Sequence, residues 1–348
     1  MNELSLNQRI EAVVANRVIN LPAGALRILA GKPIVREGQT LDVQTQMMLR
    51  LQRLRNQATF GVGEVAEERA TIEVQASQLA PQATGQLDVR DIQLAGGAGT
   101  IPGRLYRPAR CGSNAPVLIF YHGGGFVIGS LNTHDDVCRA LADRAECVVI
   151  SVDYRLAPEN PAPAATEDAI AVFRDIVARA DEFDIDAARI ALGGDSAGGN
   201  LATVVAQQTR NDPTEACFQL LFYPVTDHAY DRESRRTFAE GFFLEQASID
   251  WFKGHYIPAD MDLKDLRISP IYGDVAGLPP ALVVTGGFDP LRDEGETYAE
   301  NMKAAGVTVE LRRMPSMIHG FLNFAGAVHG ADAALTEAAQ TLKSALDR

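Results

Sequence analysis

The chain divides by the period of its apolar positions. Up to about residue 60 the spacing is helical: within 41–54, Val43, Met47, Leu51 and Leu54 recur every three or four residues with polar side chains between them. Such an amphipathic element has to cover an apolar surface elsewhere in the molecule. From about residue 70 the period shortens to two. Residues 70–75 and 89–94 alternate, and Pro81, Gly85, Gly96, Gly97 and Gly99 punctuate them, which predicts antiparallel strands at the start of a sheet. Beyond that, apolar runs at 117–121 and 147–152 are continuous, as strands covered on both faces must be. Further strands are predicted at 189–192, 218–223, 281–285 and 307–311. Helical spacing occupies 134–145, 164–180, 199–209, 291–305 and 328–346. Repeated strand-helix units predict a doubly wound, mostly parallel sheet.

One segment breaks the rhythm. Between the strand ending near Tyr223 and the one beginning near Ala281 lies a stretch too long for a structureless loop in a compact domain. Its aromatic residues include Phe242, Phe243, Trp251, Phe252 and Tyr256. It is expected to be an inserted helical segment at about 228–275 that joins the amino-terminal helices as a cap over the sheet's carboxyl edge.

With 348 residues, 46% of them hydrophobic, the chain can bury a large core. The net charge of −13 and the lack of clustered Lys and Arg exclude a nucleic-acid surface. Arg235-Arg236 and Arg312-Arg313 are too short for one and read as solvated faces or local ion pairs. The stretch from Met1 to Asn7 has neither a basic start nor an apolar signal core, and no run approaches the roughly 18–20 apolar residues of a membrane span. A cytoplasmic location is expected. Cys111, Cys138, Cys147 and Cys217 lack metal or redox spacing and read as buried or incidental thiols.

Against this background two glycine-rich stretches carry chemistry. Gly194-Asp195-Ser196-Ala197-Gly198 sits where a strand turns into a helix, the context of a nucleophile elbow. The glycines let the chain double back, and the helix start leaves the Ala197 amide free to face a developing oxyanion. His122-Gly123-Gly124-Gly125-Phe126 also follows a strand. Amides without Cβ atoms can approach a tetrahedral oxyanion closely, and Gly123 and Gly124 are the expected donors, with Gly125 supporting the turn. Neither a P-loop lysine nor a dinucleotide-type G-x-G-x-x-G accompanies this stretch, so phosphate cradling does not fit.

A serine needs an imidazole to take its proton and a carboxylate to orient that imidazole. Of the six histidines, His319 falls just after the last predicted strand, where a base reaches the carboxyl edge. Asp289 follows the preceding strand; it also fits a helix N-cap ahead of Pro290. Asp293, four residues on, is an alternative acid. The order Ser196, Asp289, His319 is that of the α/β-hydrolases, with each residue after a predicted strand.

At this point the chain resembles the hormone-sensitive-lipase-like family of α/β-hydrolases, which includes the bacterial family IV carboxylesterases. The matching residues are His122 to Gly125, Asp153-Tyr154-Arg155-Leu156-Ala157-Pro158-Glu159, Gly194 to Gly198, Tyr223-Pro224-Val225-Thr226-Asp227, Asp289-Pro290-Leu291-Arg292-Asp293-Glu294 and His319-Gly320-Phe321. The resemblance implies an α/β-hydrolase fold: a mostly parallel eight-stranded central sheet with helices on both faces and a helical cap. The division expected is a cap segment at 1–60 and a catalytic domain at 61–348 that carries the insertion. It implies a Ser196–His319–Asp289 triad, an oxyanion hole from Gly123, Gly124 and Ala197, and hydrolysis of short- to medium-chain acyl esters through an acyl-enzyme, with no cofactor and no metal. His122, Gly125, Asp195 and Glu159 are expected to support the site, and Phe126, Phe242, Phe243, Trp251 and Phe252 to line the pocket. An amidase or peptidase on the same fold would show the same triad order. A non-catalytic small-molecule receptor would have lost the histidine base. A homodimer is left open.

Overall fold

A computed structural model describes residues 17–54, 61–79, 81 and 83–347. Of the expected cap segment 1–60, residues 1–16 and 55–60 therefore lie outside the described residues. The central sheet has eight strands: β1 (Leu87–Gly96), β2 (Gly99–Pro108), β3 (Ala115–Tyr121), β4 (Val148–Val152), β5 (Ile185–Asp195), β6 (Phe218–Phe222), β7 (Ala281–Phe288) and β8 (Val309–Ile318). Their spatial order is β8-β7-β6-β5-β3-β4-β2-β1. Strand β2 is antiparallel to both β1 and β4, and every other pairing is parallel.

The continuous apolar runs have a direct cause. In β3, Val117, Ile119 and Tyr121 enter one core while Leu118 and Phe120 enter the other; in β7, Ala281 and Val283 part from Leu282 and Val284 in the same way. Strand residues alternate between faces, so a sheet with helices on both sides needs apolar side chains at every position. One face is covered by helices from 164–178, 197–209 and 292–304, the other by helices from 135–145 and 329–346.

Two expectations are corrected. Residues 70–75 are not a strand but part of a helix, α1 (Val65–Leu79). Val65 and Ile72, two turns apart, pack against the larger core, and Glu67 and Glu68 in the first turn suit the positive end of the helix dipole. The eighth strand is β2, for which no strand is expected; Gly99, which reads as a turn residue in the sequence, is its first residue, and Pro102, Gly103 and Pro108 lie within it. Pro102 is tolerated because β2–β4 pairing ends at Gly103–Val152, so no ladder N–H is needed there. At Gly103 a Cβ would come 2.5 Å from Leu94 Cδ1.

Between β6 and β7 the chain forms helices at Glu233–Thr237 and α2 (Gln246–Tyr256). The amino-terminal residues contribute helices at Ala23–Ala30 and Val43–Leu54, joined by a small two-stranded ribbon. That segment is tied to the sheet's edge: the Asp42 amide donates to the Ser316 carbonyl at 3.0 Å, and Gln44 Nε2 to that of Ala327 at 3.1 Å. Among the described residues, no helix is long and apolar enough to cross a membrane.

The tightest backbone crossing lies where β5 turns into its helix. A Cβ on Gly198 would collide with the Tyr121 carbonyl at the end of β3, and one on Gly194 with the same carbonyl and with the backbone of Gly198. Gly198→Ala is therefore expected to destabilise the fold by about 3 kcal/mol or more, read as a lower urea midpoint with unchanged slope. A variant as stable as the parent would contradict this packing.

Candidate active site

Five strands deliver the site's residues from their carboxyl ends. Ser196 follows β5 and caps the helix Ala197–Thr209, with φ 54° and ψ −115°. Its amide donates to the Phe222 carbonyl at 2.9 Å and its own carbonyl accepts from Val225 at 3.1 Å, so neighbouring backbone holds this conformation. Non-glycine residues at such φ cost of order 1–3 kcal/mol and persist only where surroundings enforce them.

Sheet register brings the other two residues together. Phe288 of β7 pairs with Ile318 of β8, so Asp289 and His319 leave adjacent strands side by side. His319 Nδ1 lies 2.8 Å from Asp289 Oδ2, and His319 Nε2 lies 2.9 Å from Ser196 Oγ. A carboxylate can only accept, so Nδ1 carries the proton and Nε2 is left to accept from the serine hydroxyl. Asp289 Oδ1 accepts from the Leu291 amide at 2.7 Å. Its local turn and its contact with imidazole thus use different oxygens. Asp293 is turned away, accepting from the Ser234 amide and Arg292. Tyr223 packs its ring 4.7 Å from that of His319.

The glycine loop differs from expectation at one position. The Gly123 N–H donates to Asp195 Oδ1 at 2.8 Å and is not available to an oxyanion. The amides of Gly124, Gly125 and Ala197 donate to no other described residue. The expected pair of Gly123 and Gly124 therefore does not hold as a pair of free amides: Gly124 and Gly125 are the loop positions whose amides are not taken up. Both Gly124 and Gly125 have positive φ, and a Cβ on either would strike Ile128 or the Phe252 ring.

Asp195 and His122 brace this loop from beneath. Asp195 is buried, and His134 Nε2 lies 3.1 Å from its Oδ1. Burial alone would raise the Asp195 pKa. The facing His134, the Gly123 amide and His122 outweigh it and hold the carboxyl below its usual range. His122 donates from Nδ1 to the Gly123 carbonyl at 2.7 Å and stacks on Tyr154 at 4.4 Å. His134, at the cap of the helix Asp135–Ala145, carried no signal beyond opening a helix. Glu159 stands apart, paired with Arg69 of α1 at 2.7 Å. Arg69 also donates to the carbonyls of Val127 and Ala157, so this ion pair docks α1 against the loop.

A sequence model described as the alpha/beta hydrolase fold matches residues 118–323. The chain is 42% identical over 98% of its length to carboxylic ester hydrolase LipN of Mycobacterium tuberculosis, covering 94% of that protein. It is 37% identical over 81% of its length to an ethyl acetate hydrolase of Pseudomonas putida, covering 91% of it. An ester hydrolase from the metagenome of Lake Arreo, solved with a bipyridine phosphonate derivative, superposes with a TM-score of 0.85 at 42% identity, over 88% of this chain and 100% of that one. The chain belongs to the hormone-sensitive-lipase-like α/β-hydrolases.

In this α/β-hydrolase a cavity of about 230 Å³ opens above Ser196. Its walls come from the amino-terminal segment (Ile19, Met48, Leu51), from α1 (Ile72, Ala76) and from α2 (Ile249, Phe252, Tyr256). Of the aromatic residues singled out in the sequence, Phe126, Phe243 and Phe252 lie on the wall. Phe242 and Trp251 do not. Phe242 packs edge-on to Phe238 at 5.4 Å in the second core, and Trp251 sends its Nε1–H to the Gly63 carbonyl at 3.0 Å. Among the described residues no group of His, Cys, Asp and Glu could hold a metal ion.

Burial, with help from His134, pushes the His122 pKa down to about 3; burial, Arg235 and Lys253 do the same to His228. In the unfolded chain each titrates near about 6.5. The unfolded state then binds protons that the folded state refuses, so stability is full above about pH 6.5 and declines as pH falls toward 3. Each histidine adds a slope approaching about 1.4 kcal/mol per pH unit. Urea unfolding near pH 7 and near pH 5 should show that decline, and His228→Gln should reduce it. Equal stability at both would contradict these buried neutral imidazoles.

Proposed function

We propose that this protein is a serine carboxylesterase for short- to medium-chain acyl esters. The observation that carries the reading is the continuous chain from Asp289 through His319 to the Ser196 hydroxyl, at 2.8 and 2.9 Å, at the base of an apolar cavity.

Ser196 Oγ attacks the ester carbonyl carbon while His319 Nε2 takes its proton. Asp289 holds the ring in the tautomer that can accept and stabilises the imidazolium. The carbonyl oxygen becomes an oxyanion facing the amides of Gly124, Gly125 and Ala197. Preorganised donors of this kind are worth about 3–4 kcal/mol each in related chemistry. The intermediate collapses by breaking the bond to the alcohol oxygen, which leaves with the proton from His319. Water then gives a proton to His319 and attacks the acyl-serine, and the carboxylic acid departs as Ser196 Oγ recovers its proton.

The described residues of the amino-terminal segment, 17–54, and the insertion at 228–275 form the cap in this reading, and α1 adds to the roof. The enclosed volume supports short and medium acyl chains. Four free thiols fit a reducing compartment such as the cytoplasm.

Ser196→Ala is expected to abolish hydrolysis of 4-nitrophenyl butyrate, and Asp289→Asn to lower kcat by about 10⁴ with little change in KM, by analogy with the serine-protease triad. Retained turnover by Ser196→Ala would overturn the assignment. Across acyl chains of graded length, kcat/KM should peak among short and medium esters. Faster hydrolysis of emulsified long-chain triglyceride, or of anilides over matched esters, would contradict the substrate reading.

A further inference from the structure

Several polar side chains on the cavity wall are unused by this mechanism, and His228 is one of them. His228 follows β6 in the turn that begins at Tyr223, close to Val225, whose amide donates to the Ser196 carbonyl. Its backbone is fixed on both sides. The His228 amide donates to Ser269 Oγ at 2.9 Å, and its carbonyl accepts from Lys253 Nζ at 3.0 Å. The two following amides donate to Asp227 Oδ1 at 3.0 and 3.1 Å.

Among the described residues nothing polar holds the imidazole itself. Neither Nδ1 nor Nε2 has a hydrogen-bond partner among them, although the residue is only 8% exposed. The rings of Phe126 and Tyr256, stacked on each other at 3.9 Å, lie 6.4 and 6.5 Å from it, and Leu244 and Ile249 line the same cavity. A buried polar group left unpaired costs about 1–3 kcal/mol, and native structures leave few of them. An apolar side chain of similar size would avoid that cost here, so the partner has to come from what enters the cavity. Burial keeps the ring neutral, with one N–H and one lone pair, and this pair of functions fits a neutral oxygen group.

We propose that His228 is a specificity-determining residue that hydrogen-bonds a hydroxyl or carbonyl oxygen on the carbon chain of the ester, so that short oxygenated esters are preferred to hydrocarbon ones. The proposal rests on the carboxylesterase reading and narrows its substrate class. A site that hydrogen-bonds a substrate oxygen discriminates against the analogue without it, because the protein's own group is then left unpaired.

The test measures kcat/KM by acid release for ethyl butyrate, ethyl 2-hydroxybutyrate, ethyl 3-hydroxybutyrate, ethyl acetoacetate and 2-hydroxyethyl butyrate. At least one oxygenated ester should exceed ethyl butyrate by about tenfold in the parent. That ratio should fall toward one in His228→Phe and His228→Leu and be partly restored in His228→Gln. A ratio taken within one enzyme cancels any uniform loss of folded protein. No preference in the parent, or a ratio unchanged in whichever variants fold, would overturn the role of His228 while leaving the esterase reading intact. Failure of the parent on every ester, ethyl butyrate included, would overturn both.

Discussion

The backbone at Gly198 passes so close to the Tyr121 carbonyl that no side-chain carbon fits between them, and the site's geometry descends from that approach. It forces β5 to turn within two residues into a helix, which lifts Ser196 to positive φ and exposes the Ala197 amide. It also brings the end of β3 beside that turn, so the residues after Tyr121 have no course except past the serine. Those residues are the glycine loop. The positions of Ser196 and of the glycine-loop amides are thus set by one steric constraint between two neighbouring strands, and Asp195, which accepts from the Gly123 amide and faces His134, ties the loop to β5.

Asp289 and His319 depend on a second piece of backbone order. Parallel register between β7 and β8 sets residues 289 and 319 abreast, and neither needs a long loop to reach the other. The rim between Ser196 and Asp289 is stiffened by a buried ion pair. Glu294 accepts from the amides of Thr226 and Asp227 at 2.9 and 3.3 Å and pairs with Arg235 at 2.8 Å. Burial raises the Glu294 pKa, and Arg235 only partly offsets it. Removing one partner of such a pair typically costs about 3–5 kcal/mol, because it strands a charge in the interior. The pair therefore specifies how the 233–237 helix of the insertion sits on the sheet.

Much of this was legible in the sequence because the physics that dictates it is local. Gly194, Gly198, Gly124 and Gly125 announce close backbone approach, and the long apolar runs announce a sheet buried on both faces. Where a local pattern served two structures, the reading failed. Alternation at 70–75 also fits a helix that turns Val65, Ile72 and Ala76 inward, and the glycines and prolines of 99–108 hide a strand whose pairing with β4 stops short of Pro102. Choosing among three glycine amides was beyond local reasoning, since it depends on Asp195 reaching across from another strand. The cap aromatics could not be sorted for the same reason: Phe242 and Phe243 are adjacent in the sequence, and only tertiary packing sends the first to the core and the second to the cavity wall. His134 and His228 offered no motif at all, and their importance lies in what surrounds them.

The most direct test is whether the chain stores the acyl group on Ser196 during turnover. Acid quench within the first turnovers on 4-nitrophenyl acetate, followed by peptide mass spectrometry, should find the acetyl group on the peptide containing Ser196 together with a burst of 4-nitrophenol that matches the enzyme concentration. An acetyl group found only on another residue, or steady hydrolysis by a protein whose Ser196 has been replaced by alanine, would contradict the account.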